Sequence, residues 1–181
     1  MRCNRRDFLK LGFLGAATGL IPGGALAAID DLVASARQLA FYNPHTNEHL
    51  DISYYCNGEY QAEALSKINA ILRDYRTNEI KPIDPHLLDF LYSLTNRIKR
   101  TEPFHIISGY RSPKTNALLR KKSKRVASRS LHMQGKAIDI RIPGYDTEKL
   151  RNVAISMKAG GVGYYRRSDF VHIDTGRPRY W

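Results

Sequence analysis

Two separate segments of this sequence constrain its fold more than any other feature, because each offers metal-ligating side chains at a predicted β-strand. One segment contains His132 and Asp139, and the other contains His172 and Asp174. If these side chains act together, the two strands must lie side by side although they are distant in the chain. That requirement favours a single domain built around one sheet.

The first segment begins at Ser130 and contains Gly135 just before a short apolar strand. Glycine lets the chain turn after His132, so that Asp139 can return towards the same point. Imidazole nitrogens and carboxylate oxygens are both normal zinc ligands. A histidine and an aspartate at this spacing are weak evidence alone, and they gain weight only from a further ligand.

The second segment supplies that candidate. Along a strand from 170 to 174, His172 and Asp174 project from one face, and Val171 and Ile173 project from the other. An isolated histidine on a strand is usually just hydrogen-bonded, but a second cluster with His and Asp favours ligation. Three protein ligands leave a fourth tetrahedral position for water, as in catalytic rather than structural zinc sites.

A third motif, over residues 108–116, places Arg111 where a predicted strand turns into a helix. Loops at such turns often form functional sites. The planar guanidinium can hold a substrate carbonyl or carboxylate. Standing alone, the motif would be read as a surface arginine near a helix start.

The remaining pattern predicts one α+β domain with an antiparallel sheet flanked by helices. Apolar residues with period two favour a β-hairpin over 37–60, and helical spacing begins at 61. Asp84-Pro85 and Ser112-Pro113 are helix start signals. The predicted helices span 61–77, 85–100, 112–122 and 146–158, and the predicted later strands span 104–108, 137–142, 162–165 and 170–174.

The N-terminus is typical of an export signal. Arg5 and Arg6 precede an apolar run rich in glycine and alanine, and Ala25 and Ala27 supply the small residues of a cleavage site. The paired arginines favour the twin-arginine type. We therefore expect a signal peptide over 1–27, read by the export machinery, and a periplasmic domain over 28–181 that can associate with the cell wall. No later stretch approaches the roughly 18 apolar residues of a transmembrane helix.

Charge and cysteine usage fit that location. The chain has a formal net charge of +12, so an anionic partner is expected, and peptidoglycan carboxylates suit an exported protein. A simple solubility charge is the alternative. Nucleic acid is not expected, because aromatic residues do not interleave with the basic segment 121–129. Cys56 is the single cysteine after residue 27, and a structural thiol is its expected role.

Taken together, the motifs resemble a known group. SGYRSP-x-TN, then S-x-H-x-x-G-x-A-x-D, then H-x-D-x-G occur in this order within residues 37–181. They are similar to the D-Ala-D-Ala carboxypeptidase and hedgehog-type zinc peptidases, and in particular to the murein endopeptidase K (YcbK-like) branch. The resemblance implies the corresponding α+β fold and the peptide stems of peptidoglycan as substrate.

The resemblance also implies roles for single residues. It implies one zinc ion per chain, held by His132, Asp139 and His172, with Arg111 polarising the scissile carbonyl. Ser130 and Tyr110 belong to the same motifs, and we expect them to support the ligands or contact substrate.

The general base is where this sequence departs from the wider family. Many members carry glutamate three residues before the last histidine ligand, and this chain has the shorter Asp169 there. Asp169 is the first candidate for the base, since a carboxylate can take a proton from activated water. Asp174 is the alternative, although orienting an imidazole suits it better.

The sequence therefore predicts a zinc-dependent murein endopeptidase that cleaves peptide crosslinks. Two alternatives stay open. One is a D,D- or L,D-carboxypeptidase that trims stem peptides, for which a cation from the basic segment 121–129 can bind the terminal carboxylate. The other is a non-catalytic, zinc-containing wall-binding module, which the departure at Asp169 leaves open.

Overall fold

The computed structural model describes residues 36–123 and 126–181. The predicted signal peptide over 1–27 lies outside the described residues, as do positions 124 and 125 of the basic segment. Within the described part, an eight-stranded sheet runs in the order β3-β2-β1-β4-β5-β7-β6-β8. The strands are β1 Arg37–Asn43, β2 Glu48–Cys56, β3 Glu59–Tyr60, β4 Phe104–Ser108, β5 Ala137–Arg141, β6 Gly161–Tyr165, β7 Phe170–Asp174 and β8 Arg179–Tyr180.

The described helices lie in the connections between the strands, and three of them contribute buried residues to the core on one face of the sheet. They are α1 Ala62–Ile71, α2 Pro85–Ile98, α3 Pro113–Lys122 and α4 Thr147–Ser156, with 3-10 turns at Leu131–Gln134 and Arg166–Ser168. The predicted starts of α2 and α3 agree with the structure. The Asp84 side chain accepts from the amide of His86, and the Ser112 side chain accepts from that of Thr115, so each satisfies a free amide of the first turn. No helix in 36–123 or 126–181 combines the length and apolarity needed to cross a membrane.

The sheet is mixed, which corrects the predicted antiparallel sheet. β1 runs parallel to β4, and β6 runs parallel to β8, whereas the other neighbours are antiparallel. The β1–β4 pair can be parallel because the chain crosses over through α1 and α2 before re-entering the sheet. The hydrophobic pattern of a single strand does not show whether its neighbour in the sheet runs parallel or antiparallel to it.

The two faces of the sheet have different characters. Phe41, Ile106, Ile140 and Val171 lie on one face and join the buried core with the apolar side of α2 and with Leu150 of α4. The opposite face is more open and carries the predicted metal ligands of β5 and β7. Since paired residues of neighbouring strands share a face, this register fixes which side chains can meet.

Helix α1 is shorter than the predicted 61–77. It ends at Ile71, and Asp74 then closes a turn in which its carbonyl accepts from the amides of Thr77 and Asn78. The Asp74 carboxylate is buried and accepts from the amide of Ser112, with an N···O distance of 2.9 Å. The helix therefore ends at Ile71, and the turn that follows it places the Asp74 carboxylate where it supports the loop that carries Arg111.

Candidate metal centre

Three predicted ligands converge at the junction of β5, β7 and the first 3-10 turn. His132 Nε2 lies 3.2 Å from Asp139 Oδ1 and 3.2 Å from His172 Nδ1. His172 Nδ1 lies 2.8 Å from the same carboxylate oxygen. Atoms bound to one zinc ion at about 2.0–2.2 Å lie no more than about 4.4 Å apart, and these three satisfy that limit. All three residues are buried.

Local structure explains the convergence. Asp139 and His172 are directly paired in the antiparallel β5–β7 ladder, so their side chains leave the same face side by side. His132 reaches them from the 3-10 turn, which ends at Gly135 in a left-handed conformation with φ of 69°. A Cβ atom at Gly135 would lie 2.2 Å from the carbonyl oxygen of Pro82. Glycine is therefore required there both for the left-handed backbone and for the close approach of Pro82.

The second nitrogen of each imidazole is already engaged. His132 Nδ1 donates to the carbonyl oxygen of Gly109 at 2.8 Å, and His172 Nε2 donates to Asp174 Oδ2 at 2.9 Å. Because those partners only accept, the protons of the neutral rings are on these outer nitrogens. The inner nitrogens, His132 Nε2 and His172 Nδ1, therefore present lone pairs to an acceptor-only carboxylate.

Such a group of acceptors needs a positive charge at its centre. Burial disfavours a charged His172, but its hydrogen bonds to Asp139 and Asp174 raise its pKa to about 9. Burial lowers the pKa of His132. Burial also opposes ionisation of Asp139, yet the two histidines hold the pKa of this carboxyl well below its usual range. The protein thus places a proton where a divalent cation would satisfy all three groups, and the donor set fits zinc.

Arg111 lies at the edge of this cluster. Its Nη2 atom is 3.5 Å from Asp139 Oδ2 and 3.3 Å from the hydroxyl of Ser108. Its Nε atom is buried and has no hydrogen-bond partner within the described part of the chain, and burial lowers the pKa of the guanidinium. An under-partnered buried guanidinium beside the cluster is suited to binding a carbonyl oxygen.

The loop that carries Arg111 is fixed from two sides. The amide of Tyr110 donates to the carbonyl of Leu72 at 2.7 Å, and the amide of Arg111 donates to the carbonyl of His132 at 3.2 Å. A Cβ atom on Gly109 would lie 2.4 Å from the Leu72 carbonyl oxygen. The sequence analysis had placed Tyr110 and Ser130 as supporting residues. Both are buried, Tyr110 in this loop and Ser130 at the start of the 3-10 turn.

Asp174 holds His172 in place. It is fully buried and accepts from His172 Nε2, from both terminal nitrogens of Arg179, and from the amides of Gly161 and Gly176. These partners hold the pKa of this carboxyl well below its usual range, despite burial, which opposes ionisation. A fully bonded, buried carboxylate is placed to orient an imidazole. The sequence did not predict the role of Arg179, because a two-residue strand gives no periodic signal.

The structure does not bring Asp169 to the cluster. Asp169 has a φ of 50°, and its side chain is 64% exposed. Its carboxylate accepts a hydrogen bond from the Thr147 hydroxyl at the start of α4 and lies 3.9 Å from Arg141 Nη1. Phe170, His172 and Asp174 alternate onto the open face, whereas Asp169 contacts the helix packed on the other one.

Two buried histidines and a buried carboxylate that converge beside Arg111 form a site of the kind found in hydrolases that use a single metal ion. Comparison with known proteins gives the family. Residues 31–181 match the family model described as peptidoglycan L,D-endopeptidase MepK, and the chain belongs to that family.

Curated relatives agree over almost the whole chain. The peptidoglycan L,D-endopeptidase MepK of Escherichia coli K12 is 44% identical over 178 residues, which cover 98% of this chain and 97% of that protein. The probable peptidoglycan L,D-endopeptidase MepK of Haemophilus influenzae is 38% identical over 179 residues, which cover 98% and 95%. No solved structure matches the chain.

Proposed function

We propose that the chain is a zinc-dependent murein endopeptidase that cleaves L,D peptide crosslinks of peptidoglycan. The observation that carries the proposal is the convergence of His132 Nε2, Asp139 Oδ1 and His172 Nδ1, at 2.8–3.2 Å, with no proton to share when the rings are neutral. The family match and the names of the relatives supply the substrate class.

In this proposal each residue has a defined task. His132, Asp139 and His172 hold one zinc ion, which when bound supplies Lewis-acid chemistry and activates water near neutral pH. Arg111 binds the scissile carbonyl and stabilises the negative charge that develops on its oxygen. Asp174 keeps the Nε2 proton of His172 in place and so presents Nδ1 to the metal.

The base that takes a proton from water is a separate question. The sequence-based candidate, Asp169, bonds Thr147 and Arg141, so its placement gives no support to that role. Asp174 is fully bonded and buried, which leaves it an orienting role. We therefore assign no base to this chain.

Digestion of purified crosslinked muropeptides tests the proposal. The zinc-loaded chain is expected to convert dimers to monomers, measured by mass spectrometry, and to contain about one zinc. His132→Ala should lose both zinc and activity, whereas His86→Ala is the matched control because His86 is exposed at the start of α2. Full activity of His132→Ala would contradict the proposal.

The same digestion separates the two alternatives. Loss of single terminal residues would show a carboxypeptidase. Sedimentation with insoluble wall material, without released product at added zinc, would show a binding module.

The proposal extends to export. Residues 1–27 are proposed to be a cleaved twin-arginine signal, which would place the domain in the periplasm with its substrate. Replacing Arg5 and Arg6 by lysine should retain the protein in the cytoplasm. The exported wild-type protein should begin near Ala28 by N-terminal sequencing, and an uncleaved or unexported product would contradict this part of the proposal.

A further inference from the structure

We propose that the indole of Trp181 and the hydroxyl of Tyr165 form a wall of the substrate site and bind the stem peptide beside the metal centre. The proposal rests on the endopeptidase function proposed above. It assigns the indole to an apolar part of the peptide and the phenol to one of its carbonyl oxygens.

The register of the sheet places Trp181 on the face of the metal ligands. β8 pairs with β6, with Gly161 opposite Arg179, and β6 pairs with β7, with Gly163 opposite His172. Trp181, two positions after Arg179, therefore lies on that face. The ring centroids of Trp181 and His172 are 5.3 Å apart, with an interplanar angle of 47°.

Gly163 makes room for the indole. A Cβ atom on this glycine would lie 2.6 Å from both Cε2 and Cζ2 of Trp181, so any other residue would displace the ring. The main chain of Trp181 is held as well, because its amide donates to the Val162 carbonyl at 3.3 Å and its carbonyl accepts from the Tyr164 amide at 3.0 Å. The indole therefore has a fixed position over the sheet.

Trp181 in turn orients Tyr165. The indole Nε1–H donates to the Tyr165 hydroxyl oxygen at 3.3 Å, and the Tyr165 ring stacks on Phe170 with centroids 4.5 Å apart. No residue within 36–123 or 126–181 accepts the proton of that hydroxyl. Tyr165 follows Gly163 by two positions on β6 and pairs with Phe170, so its side chain lies on the same face of the sheet as His172. A free donor thus lies on the face that carries the metal ligands.

The exposure of Trp181 indicates a binding surface rather than a core contact. One edge of the ring contacts Gly163 and lies near His172, yet 48% of the residue is exposed. A rigid aromatic ring that is half exposed beside a polar site gives a ligand a large contact area at a small cost in conformational entropy. Tryptophan and tyrosine are also the residues most often found at binding hot spots.

The chain provides its own probe for a binding test. The sequence contains a single tryptophan, so tryptophan emission reports on Trp181 alone. Titration of the metal-free chain with a crosslinked muropeptide dimer should change the emission in a saturable way. The dimer is not consumed in this titration, because metal-free protein should not cleave it. Because bound metal should tighten peptide binding, the titration extends to dimer concentrations far above those that saturate the zinc-loaded enzyme, and an unchanged emission there would overturn the proposal.

Kinetics of the zinc-loaded enzyme provide the second readout. Trp181→Ala should raise KM for the dimer about tenfold, with zinc content unchanged. Tyr180→Ala is the matched control, because Tyr180 is 68% exposed and pairs with Val162, so it faces the other side of the sheet. Trp181→Phe keeps a ring but loses the Nε1–H donor, and Tyr165→Phe loses the free proton. Both should fall between wild type and Trp181→Ala.

The two proposals fail in different ways. If folded Trp181→Ala cleaves the dimer as wild type does, with an unchanged KM, the binding role of Trp181 and Tyr165 is overturned and the endopeptidase function is not affected. A zinc-loaded wild type that cleaves no dimer would overturn the endopeptidase function, while the emission titration would still decide whether the peptide contacts Trp181.

Discussion

The Nδ1 atom of His172 and the Nε2 atom of His132 lie 3.2 Å apart, although in the neutral rings neither nitrogen carries a proton for the other. Their outer nitrogens are committed to Asp174 and to the Gly109 carbonyl. Either a proton on His172 or a divalent cation between the rings relieves this opposition of lone pairs, and the pair therefore accounts for much of the expected behaviour of the protein.

The first prediction concerns metal removal. A ligand that binds only the folded state at 100 times its Kd adds about 2.7 kcal/mol of stability, which for a domain of this size raises Tm by about 5–10 °C. Adding zinc to the chelator-treated chain should produce such a rise in thermal denaturation. His86→Ala should behave as wild type, and a zinc-dependent rise of the same size in His132→Ala would contradict the ligand assignment.

The second prediction concerns the orienting carboxylate. Asp174→Asn removes the charge that bonds His172 and Arg179, so the imidazole is held less firmly. Zinc affinity should fall about 10- to 100-fold, measured by competition with a chromogenic chelator. Asp169→Asn is the matched control, since its carboxylate contacts Thr147 outside the cluster. Equal zinc affinities of Asp174→Asn and wild type would show that Asp174 does not orient His172 for metal binding.

The third prediction addresses the general base. Because the Asp169 carboxylate bonds Thr147 and Arg141, Asp169→Asn should keep most of the wild-type kcat in the muropeptide assay. A loss of about 100-fold or more, in the range attributed to general bases, would restore the sequence-based hypothesis. It would also mean that the segment 166–169 rearranges when substrate binds.

The fourth prediction compares two glycines with the same positive φ. Gly135 and Gly144 both have φ of 69°, but an added Cβ meets the Pro82 carbonyl at 2.2 Å in the first case and nothing within 4 Å in the second. Gly144→Ala should cost about 1–2 kcal/mol of unfolding free energy. Gly135→Ala should cost about 1–3 kcal/mol more, by urea denaturation. Equal losses would show that the contact with Pro82 relaxes freely.

The fifth prediction concerns acid stability. Asp89 of α2 accepts from Tyr60, Arg37 and Tyr54 of three strands, and these bonds lower its pKa although burial opposes ionisation. A lowered folded pKa contributes stability above the unfolded value of about 3.9, and this stability is lost as pH falls through the folded pKa.

Asp89→Asn should therefore reduce the unfolding free energy by about 1–3 kcal/mol at pH 7, and by less at pH 3. Asp51→Asn is the control, because Asp51 is exposed on β2 and bonds only Gln38 among the described side chains. A difference between Asp89→Asn and wild type that is independent of pH would mean that the loss of one acceptor oxygen, and not the loss of the charge, destabilises the variant.

Local signals predicted much of this architecture. Asp84-Pro85 and Ser112-Pro113 mark helix starts because the cap and the proline act within one turn, and α2 and α3 begin there. The alternation from Val171 to Asp174 likewise predicted which side chains share a face. These features depend on residues that are close together in the sequence, so one amino-acid sequence is sufficient to predict them. Zinc binding by the converged ligands stays a prediction.

Features that depend on distant pairing were not predictable. The parallel alignment of β1 with β4 is decided by the path of two helices, and β8 is too short to show a period. The sequence pattern consequently gave no prediction for Arg179 or Trp181, although one bonds Asp174 and the other lies beside His172. The turned-away carboxylate of Asp169 depends on its left-handed backbone and on Thr147, neither of which the spacing reveals.

The reciprocal hydrogen bonds between His132 and the loop of Arg111 have a consequence for regulation. His132 Nδ1 donates to the Gly109 carbonyl, and the Arg111 amide donates to the His132 carbonyl. Ordering either element orders the other, so metal and peptide should each tighten the binding of the other by the same factor, as linkage requires. A low zinc concentration would then weaken the binding of the cell-wall peptide as well as slow its cleavage.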